Sequence, residues 1–584
     1  MIVRKNWLPI LLLSVWMGCA SGKDTGEAPP REVHAFKVVD IGPDTAPTLQ
    51  LAVQACAGLY NRETGGSVYT RRRDNDQRWL DELNLTPDEI ITDARSFLDA
   101  CLADFPSCVA YDYDSQQKLI PNIITVGAVL GAVPLDEEMG APCSNVVFDA
   151  TVAFAARNTP YLATRYVYDT YVDHTTGWAM LNPGYEIAPQ TIPEIWDPPI
   201  VRDVDPFLVD FVFSQKLFAT FLINGCIRGT EEGALLNDIA EVNPWPKPIG
   251  VYGYANNWLV LGGFLFEAQT LCAASRNMGA IPSEIYNLSF FSTRREAITD
   301  ADEIRPNALE DIDYDPDHTY VAFLVGDGDN NAFIMDSRAR WMRQRIEDCA
   351  AGEDSCPPLT WTVSPHLPRL APDVLEWYYA RSRETGKDYF ALPPSGHLYA
   401  YPASLEETVV QARFVAATEE DARILGTRST VHWEWLGTWR TAEETFLPKY
   451  AKRGGPIRGV FPVNVPYMIP ILTWKPGQFF KVIEGQDGGK LVLFRPREWR
   501  GVDGGGGILG LEQEFYLTPE SMAEELGGYP RGTVTGVYMT SDGGLNVRNS
   551  VYELLKFLPE HVVLVSADTA TRLALEASGS GLEE

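Results

Sequence analysis

The sequence is poor in histidine and lacks the short motifs that mark several common active sites. Only 7 of its 584 residues are histidine, and neither a Cys-x-x-Cys pair nor a His-Glu-x-x-His pair occurs. Zinc ribbons, thioredoxin-type redox sites and zincin proteases are therefore disfavoured. The absence of a Gly-x-Ser-x-Gly elbow and of a Gly-x-x-x-x-Gly-Lys loop disfavours serine hydrolases and P-loop NTPases. We predict neither a resident metal ion nor a cofactor.

Basic residues are also scarce. Lys and Arg number 48 against 79 Asp and Glu, which gives a formal net charge of −31. Because nucleic acids and anionic surfaces attract basic faces, we do not expect nucleic acid as a partner. Hydrophobic residues nevertheless make up 45% of the chain, which can supply large cores for more than one globular domain.

The N-terminus lacks an apolar run long enough to span a bilayer, but it has the order of a signal peptide. A basic start precedes the apolar run from Trp7 to Trp16, which is about half of the roughly 20 residues that a transmembrane helix needs. Gly18-Cys19 follows and resembles a bacterial lipobox. We therefore predict a signal peptide over residues 1–18 and a lipid on Cys19.

Residues 19–34 are small and polar and include proline, which is typical of a flexible tether. The chain is thus predicted to be exported and to contact the outer membrane or cell surface only through the N-terminal lipid. Trp16 stands where a lipobox usually has an aliphatic residue. A secreted or periplasmic protein therefore stays open as the alternative.

The cysteines are even in number once Cys19 is set aside, since the chain has 9 in all. An even number in an exported chain is compatible with disulfides. Cys101 and Cys108 are close in sequence, as are Cys349 and Cys356, and we expect each pair to be bonded. The alternative is that these thiols stay free and act as small buried hydrophobes.

Two α/β domains are predicted, one on each side of an acidic segment. In residues 35–299 apolar runs alternate with helical patterns, and Phe36–Ile41 and Ile123–Val126 are among the predicted strands. Residues 300–318 are rich in Asp and Glu, which predicts a solvated linker. Residues 319–584 form the predicted C-terminal domain.

The C-terminal domain contains eight apolar, strand-like runs with helix-length or loop-length segments between them. This repeat predicts a (β/α) barrel of seven or eight strands. An open doubly wound sheet is the runner-up, because the connection from Asn464 to Gly489 has no obvious helix. The predicted strands are Tyr320–Val325, Leu359–Val363, Tyr389–Leu392, Val431–Trp435, Gly459–Val463, Lys490–Phe494, Val534–Met539 and His561–Val565.

Carboxylates follow the first and the seventh of these strands. Asp327 and Asp329 stand between glycines and Asn330, and Asp542 comes shortly after Met539. Sites in barrels and parallel sheets form at the carboxyl ends of the strands, so these residues are candidates for acid and base work, metal binding or contacts to sugar hydroxyls. The alternative is a solvated turn whose side chains cap a helix.

The fourth predicted strand alternates His432 and Glu434 with Trp433 and Trp435. If the tryptophans face the helices, His432 and Glu434 face the barrel axis. Glu434 is then a candidate general acid or nucleophile. The alternative for Glu434 is a helix cap or an ion pair.

The third predicted strand is followed by the run Gly396-His397-Leu398-Tyr399-Ala400-Tyr401-Pro402. This run resembles the Gly-x-Gly-Tyr-x-Tyr-Pro signature of the GxGYxYP putative glycoside hydrolases. Asn287-Leu288-Ser289, Gly326 to Asn330 and Ser364-Pro365 match further family motifs in the same order. Leu398 departs from the signature, which has glycine there, and a positive φ would strain leucine. The resemblance implies an exported bacterial protein with an α/β N-terminal domain, a barrel-like C-terminal domain and a carbohydrate substrate.

The signature loop has the chemistry of a sugar-binding surface. Tyr399 and Tyr401 combine an apolar face with a hydroxyl edge, which suits a pyranose ring, and Trp433 and Trp435 would extend the platform. The alternative is that these aromatic rings face the core. The predicted substrate-binding residues are His397, Tyr399, Tyr401, Asn330, His432, Trp433 and Trp435.

We therefore predict a glycoside hydrolase that acts on an extracellular or surface glycan through paired carboxylates. The predicted catalytic residues are Asp327, Asp329 and Glu434, with Asp542 as the substitute if Glu434 points outward. One alternative is a metal-dependent carbohydrate deacetylase in which Asp327, Asp329 and His366 bind a divalent ion. The other is a surface glycan-binding lipoprotein without catalysis.

Overall fold

Parallel strands alternate with helices along the described chain, which confirms the mixed α/β class. The computed structural model describes residues 35–579 apart from residues 43, 142, 182–189, 192–200, 203–207, 223, 254–269, 284, 286, 353–355, 464–471, 503–514 and 541–544. The predicted signal peptide, Cys19, the tether and Asp542 lie outside the described residues. Residues 35–584 form one compact unit.

The strands of the N-terminal half are short. They are β1 Lys37–Asp40, β2 Val68–Arg71, β3 Glu89–Ile91, β4 Ser107–Tyr111, β5 Val133–Asp136, β6 Asn145–Asp149, β7 Trp178–Met180, β8 Gln190–Thr191, β9 Val201–Arg202, β10 Phe218–Thr220, β11 Ile249–Tyr252 and β12 Met278–Ile281. Three parallel sheets have the orders β2-β1-β3, β5-β4-β6 and β10-β7-β11-β12, and β8 and β9 form an antiparallel pair.

All eight strands predicted for the C-terminal half are present, some with ends shifted by one to three residues. They lie among β13 Thr319–Val325, β14 Leu359–Thr362, β15 Asp388–Ala391, β16 Ser429–His432, β17 Gly459–Pro462, β18 Phe480–Glu484, β19 Lys490–Phe494, β20 Arg497–Trp499, β21 Val534–Met539 and β22 Val562–Val565.

These strands form two sheets that approach each other at two places. One sheet has the parallel order β15-β14-β13-β21-β20, with β22 paired to the first half of β13. The other has the order β16-β17-β19-β18, in which only β18 is antiparallel. A parallel bridge between Leu392 and Thr430 links β15 to β16, and the chain passes from β19 to β20 within two residues.

Helices separate most of these strands. The longer ones are α1 Pro47–Thr64, α2 Asp74–Glu82, α3 Ala94–Asp104, α4 Ile120–Leu130, α5 Pro160–Tyr171, α6 Val209–Gln215, α7 Glu231–Glu241, α8 Leu288–Arg294, α9 Ala339–Ala350, α10 Pro372–Thr385, α11 Thr408–Leu425, α12 Pro519–Gly527 and α13 Ala567–Ala577. None of the helices in the described part of the chain is long and apolar enough to cross a membrane.

β13 is the central strand of its sheet, and every one of its residues is buried. Its sequence is rich in β-branched and aromatic residues, which suit a strand covered on both faces. Each fully buried Val, Leu or Phe side chain contributes about 1.5–3 kcal/mol relative to an exposed one. The position of the strand end after Val325 is therefore firmly fixed.

The predicted strand Ile123–Val126 is wrong, because these residues lie inside α4. The helix has Pro121 in its first turn and ends at Gly131 in the left-handed conformation, which are ordinary helix boundaries. Nearly all of its residues are buried, so its apolar run shows no amphipathic period. Such a run cannot be distinguished from a buried strand by its pattern alone.

The structure has four disulfides, namely Cys56–Cys101, Cys108–Cys143, Cys226–Cys272 and Cys349–Cys356. The expected Cys349–Cys356 bond is among them, with a Cα–Cα distance of 4.7 Å.

The expected Cys101–Cys108 bond is wrong. Cys101 lies in α3 and is bonded to α1, against which α3 packs. Cys108 lies in β4 and is bonded to Cys143, which precedes the paired strand β6. Both bonds thus join elements that are neighbours in the fold and not in the sequence. The bonded cysteines are 45 residues apart in Cys56–Cys101 and 35 residues apart in Cys108–Cys143. In the chain-entropy model each is worth roughly 4 kcal/mol.

The acidic segment 300–318 is more ordered than a solvated linker. It contains a short helix, Ala301–Ile304, whose last residue is buried. The Asn307 side chain donates to the carbonyl of Asp388 at 2.9 Å, and Glu310 accepts from the Ser566 backbone at 2.7 Å. These two hydrogen bonds attach the segment to the C-terminal half.

Candidate active site

The end of β13 positions the two predicted carboxylates. The Gly328 N–H donates to Thr362 Oγ1 at 2.9 Å, and that hydroxyl donates to the Val325 carbonyl at 2.8 Å. A Cβ at position 328 would overlap the Thr362 carbonyl oxygen, so this close approach to β14 requires glycine. Asp327, which has a φ of 60°, and Asp329 remain half-buried at the strand end.

Arg338 holds the first of these carboxylates. Its guanidinium is buried, donates to the Gly326 carbonyl at 2.6 Å and lies 3.2 Å from Asp327 Oδ2. It also lies over the Trp341 ring, 4.4 Å from the ring centroid. Burial lowers the pKa of Arg338, and the negative charge of Asp327 counteracts this. The arrangement fixes Asp327 in place and sets a positive charge against it.

Tyr538, Glu498 and Arg500 lie behind this strand end and were missed by sequence reasoning. In the sheet Tyr538 of β21 pairs with Leu324 on one side and with Glu498 of β20 on the other. Arg500 Nε donates to Glu498 Oε2 at 3.1 Å, and both side chains are buried. The charged residues in the stretch 497–500 were the one sequence feature that could have indicated a site. Which residues lie next to them is decided by the pairing of β20 with β21.

Burial, and then the nearby Asp327 and Asp329 carboxylates, hold the pKa of Tyr538 well above its ordinary value. The positive charge of Arg500 acts in the opposite direction. Tyr538 is therefore a neutral phenol at any working pH and a potential hydrogen-bond donor.

Asn330, which was predicted to bind substrate, caps the start of a short helical turn. Its side-chain oxygen accepts from the Ala332 backbone at 2.9 Å at the start of the helical turn Asn331–Phe333. The next residue, Asn331, is fully buried and donates to the Pro282 carbonyl at 2.8 Å. The turn after Asp329 is thereby attached to the N-terminal half.

The signature loop adds to the edge of the β10-β7-β11-β12 sheet. Tyr399 forms an antiparallel bridge with Ala280 of β12, with both N–H to carbonyl distances at 3.0 Å. Leu398 is buried and packs against Gly250 and Gly279, where the absence of side chains leaves room for it. It is not among the residues with a positive φ, so the expected strain at this departure from the signature does not arise.

The predicted sugar platform is mostly internal. Tyr399 is 6% exposed, and its ring packs edge-on against Trp433 at 5.4 Å. Tyr401 is fully buried, with its ring 6.1 Å from that of Trp435. Of these four side chains only Trp435 keeps a half-buried surface. The expectation that both tyrosines contact a sugar is corrected accordingly, and Trp435 remains the candidate stacking ring.

Glu434 does not face an open cleft, so its assignment as a catalytic carboxylate is corrected. It is 0% exposed, as is His432, whose Nε2 donates to Glu434 Oε1 at 3.1 Å. The same oxygen accepts from the Ala403 backbone at 2.8 Å, and Oε2 accepts from Thr438 Oγ1 at 2.9 Å. β16 ends at His432, so strand alternation does not set the direction of Glu434. Its bonds tie the end of the signature loop to β16.

A family model matches the region that contains the signature loop. Residues 317–467 match the model of the GxGYxYP putative glycoside hydrolase C-terminal domain. Over these residues the chain is similar to the GxGYxYP family.

Solved structures show how far the fold is shared. A crystal structure of a putative hydrolase from Bacteroides thetaiotaomicron superposes with a TM-score of 0.68 at 19% identity, over 94% of this chain and 96% of that one. This likeness shows a common fold over nearly the whole length. A 4-alpha-glucanotransferase from Thermococcus litoralis covers 43% of this chain and 38% of its own, with 12% identity and a TM-score of 0.27, which is too low to carry an argument. A comparison with curated protein sequences gives no match.

In the region that matches the GxGYxYP model, the first glycine of the signature is required by its surroundings. Gly396 has a φ of +100°, and a Cβ there would stand 2.5 Å from Thr418 Cγ2 of α11. The neighbouring His397 backbone donates to Thr418 Oγ1 at 3.2 Å. The loop is therefore pressed against α11.

Replacing Gly396 with alanine is expected to lower the free energy of unfolding by about 2 kcal/mol or more, through backbone strain and overlap with Thr418. Gly386→Ala is the matched control, because Gly386 has a φ of +63° but nothing within 4 Å of its Cβ position. The control should lose only about 1 kcal/mol. Urea unfolding of the two variants measures the difference, and equal losses would contradict the role given to Thr418.

The two histidines near the signature interact with each other and with α11. His397 Nδ1 donates to Asp421 Oδ2 at 2.7 Å, and the His397 side chain is 28% exposed. His366 Nε2 donates to the His397 carbonyl at 2.6 Å. Burial, followed by the charges of His397 and Arg369, lowers the pKa of His366 well below its ordinary value. His366 is therefore a neutral, structurally engaged ring.

The described residues give the deacetylase alternative no support from geometry. Within them no group of three or more His, Cys, Asp or Glu side chains could hold a metal ion. His366 is directed at the His397 carbonyl, whereas Asp327 is paired with Arg338. The described part of the chain thus does not bring the three predicted ligands together.

Proposed function

We propose that this protein is a glycoside hydrolase whose reaction takes place at the end of β13. The observation that carries the proposal is the half-buried Asp327 and Asp329 pair, anchored by buried Arg338 at a strand end. The match of residues 317–467 to a family named for glycoside hydrolysis supports the reaction class. An extracellular or surface glycan is the proposed substrate.

The strand order supports a closed barrel as the frame of this site. The pairings from β13 lead through β14 and β15, across the Leu392 to Thr430 bridge, to β16, β17 and β19. The chain then continues from β19 into β20 within two residues, and β20 pairs with β21. β21 pairs again with β13. We infer a ring of seven parallel strands, in which β19 and β20 count as one continuous strand, with β22 beside the start of β13. The carboxyl ends of such strands converge on one mouth, and residues 319–584 would be the catalytic domain beside an N-terminal domain over 35–299.

The proposed reaction needs one carboxyl group as acid and one carboxylate as base or nucleophile. The acid gives its proton to the glycosidic oxygen as the C–O bond breaks, and water supplies the hydroxyl of the new reducing end and the proton that restores the acid. Asp327, which Arg338 holds in place, is the candidate for the base or nucleophile. Asp329 is the adjacent candidate for the acid, and Asp542 stays a prediction for the same role.

Trp435, which follows β16, supports a sugar-binding role. Its ring is half-buried, and it is followed by exposed Leu436 and Gly437. An aromatic face of this kind stacks on the apolar face of a pyranose. We propose that Trp435 holds one sugar ring of the substrate.

A surface protein that binds glycans without cleaving them is the second candidate. It is favoured by one observation, the complete burial of Glu434, which removes the carboxylate expected opposite Asp327. A panel of polysaccharides and aryl glycosides, assayed with and without EDTA, separates the candidates. Cleavage that survives EDTA supports the hydrolase, loss of activity with EDTA supports metal-dependent chemistry, and retention on a glycan affinity gel without cleavage supports the binding protein.

We also propose that Cys19 carries the lipid anchor, as its position after the apolar segment predicts. The four disulfides are consistent with export. Cys19→Ser is expected to move the protein from the membrane fraction to the soluble fraction in cell fractionation. A mature N-terminus that maps downstream of Cys19 would contradict the anchor.

A further inference from the structure

The carboxylate turn, residues 327–331, is anchored at two points by two different halves of the chain. Near its start, the Gly328 N–H donates to Thr362 Oγ1 of β14 in the C-terminal half at 2.9 Å. At its end, Asn331 is hydrogen-bonded to the backbone that follows β12 in the N-terminal half. Asp329 lies between these anchors and is within two residues of each. Its position therefore depends on both of them.

The anchor to the N-terminal half is a short, buried network. Asn331 donates to the Pro282 carbonyl twice, from its backbone N–H at 3.3 Å and from its side-chain Nδ2 at 2.8 Å. Nδ2 also lies 3.5 Å from Ser283 Oγ, which donates to the carbonyl of Ile281 at 2.8 Å. Asn331 and Ser283 are both 0% exposed. A satisfied network that is closed to water fixes the geometry of the two segments it joins.

β12 also holds the signature loop, through the antiparallel bridge between Ala280 and Tyr399. The same four-residue strand, Met278–Ile281, is thus attached to the loops that follow β13 and β15. Because Asn331 and Tyr399 reach it from different strands of the C-terminal half, β12 and the residues after it fix the carboxylate turn relative to the signature loop.

We propose that Asn331 is a positioning residue, which holds the carboxylate turn in its reactive position by fastening it to the N-terminal half at Pro282. This inference rests on the proposed function for its effect on rate, but not for its effect on the turn itself. A displacement of about 1 Å can lower a rate by about 10²-fold, because the reacting groups must be correctly spaced and aligned. The active site is then assembled by both halves, although Asp327 and Asp329 come from the C-terminal half.

Asn331→Ala tests the anchor, because it removes Nδ2 and leaves the backbone N–H in place. Local opening of the turn becomes easier, so the backbone amides of residues 326–331 should exchange with deuterium about tenfold faster. Asn331→Leu is the second variant, because a side chain of similar shape removes the donor without leaving a large cavity. Hydrogen–deuterium exchange of the peptide that contains the turn, followed by mass spectrometry, measures the rate in both variants.

Asn122→Ala is the matched control. Asn122 lies in α4, is 2% exposed, and its Nδ2 donates to Thr164 Oγ1 of α5 at 3.0 Å. The control therefore loses a buried amide hydrogen bond inside the N-terminal half. Its melting temperature should fall as that of Asn331→Ala does, whereas exchange in the carboxylate turn should stay at the native rate.

Activity supplies the second readout on any glycan that the native protein cleaves. Asn331→Ala and Asn331→Leu are expected to lower kcat about tenfold with little change in KM, because the substrate still binds while the carboxylates are misplaced. Asn122→Ala should keep kcat within about twofold of the native value, since its lost bond lies outside the site.

The two readouts keep the inference and the proposed function apart. If both Asn331 variants match Asn122→Ala in the exchange of the turn and in kcat, Asn331 is structural and the inference is overturned. Faster exchange without a loss of kcat, or a loss of kcat without faster exchange, also overturns it. If the native protein cleaves no glycan, the proposed function fails, and the exchange comparison still decides whether Asn331 holds the turn.

Discussion

Asp327→Asn is expected to lower turnover of a cleaved glycan by about 10²-fold or more while leaving the fold intact. The asparagine keeps an oxygen for Arg338, which now lies 3.2 Å from Asp327 Oδ2, but it has no negative charge to act as base or nucleophile. Because the change affects the chemical step, it should appear in kcat rather than KM. Initial rates and a thermal melt of the same preparation measure both parts of the expectation.

Asp336→Asn is the matched control for this change. Asp336 lies nine residues further on, is 35% exposed, and pairs with Arg78 and Arg340 at 3.3 and 3.5 Å, away from the carboxylate turn. It should retain activity within about twofold, as surface ion pairs contribute little. Full activity in both Asp327→Asn and Asp329→Asn would remove the strand-end carboxylates from the mechanism.

Asp388→Ala is expected to lower the free energy of unfolding by about 3–5 kcal/mol, because it leaves a buried guanidinium without its counter-charge. Asp388 and Arg345 form an ion pair in which both side chains are 0% exposed. The same carboxylate accepts from Trp361 Nε1 at 2.6 Å and from Thr385 Oγ1. Arg345 is further bonded to the carbonyl of Pro357. Urea unfolding followed by tryptophan fluorescence gives the difference.

The exposed Arg440–Glu444 pair supplies the contrast. Its side chains are 82% and 57% exposed, and Glu444→Ala should cost at most about 0.5 kcal/mol. A double change of Arg345 to Met and Asp388 to Leu should recover much of the loss, since an apolar pair of similar volume leaves no buried charge. A loss below about 1 kcal/mol in Asp388→Ala would show that water reaches Arg345, contrary to its burial.

The strands of the C-terminal half were predictable because each is a short apolar run bounded by polar or glycine-rich sequence. Tyr320–Val325 and Val534–Met539 show this clearly, and both are buried strands in the structure. The same criterion failed at Ile123–Val126, which lies in a helix buried on nearly every side. A helix that is buried on all faces has no amphipathic period in its sequence, and that period is what distinguishes a helix from a strand.

The site was only partly predictable, for a different reason. Asp327 and Asp329 follow a strand whose end is readable from the sequence, and the structure leaves them half-buried there. The prediction for Glu434 was wrong because it assumed that side chains still alternate between the two faces of the strand at residue 434, whereas β16 ends at His432. Tyr538 and Arg500 come to the site through pairing of β21 and β20, and nothing local in their sequence indicates that partnership. The Cys101 partner was misjudged likewise, because helix packing rather than chain proximity selects it.

The contact of Leu398 with Gly250 and Gly279 ties residues of the two halves to one another. Each glycine leaves space that the leucine side chain fills, so the three positions share one fixed volume. Among relatives, a glycine in place of Leu398 would leave room for a larger side chain at position 279 of β12, whereas a leucine would exclude one. Substitutions at these positions should therefore be correlated across the family, and a chimaera that joins one relative's N-terminal half to another's C-terminal half should fold well only when the three positions match.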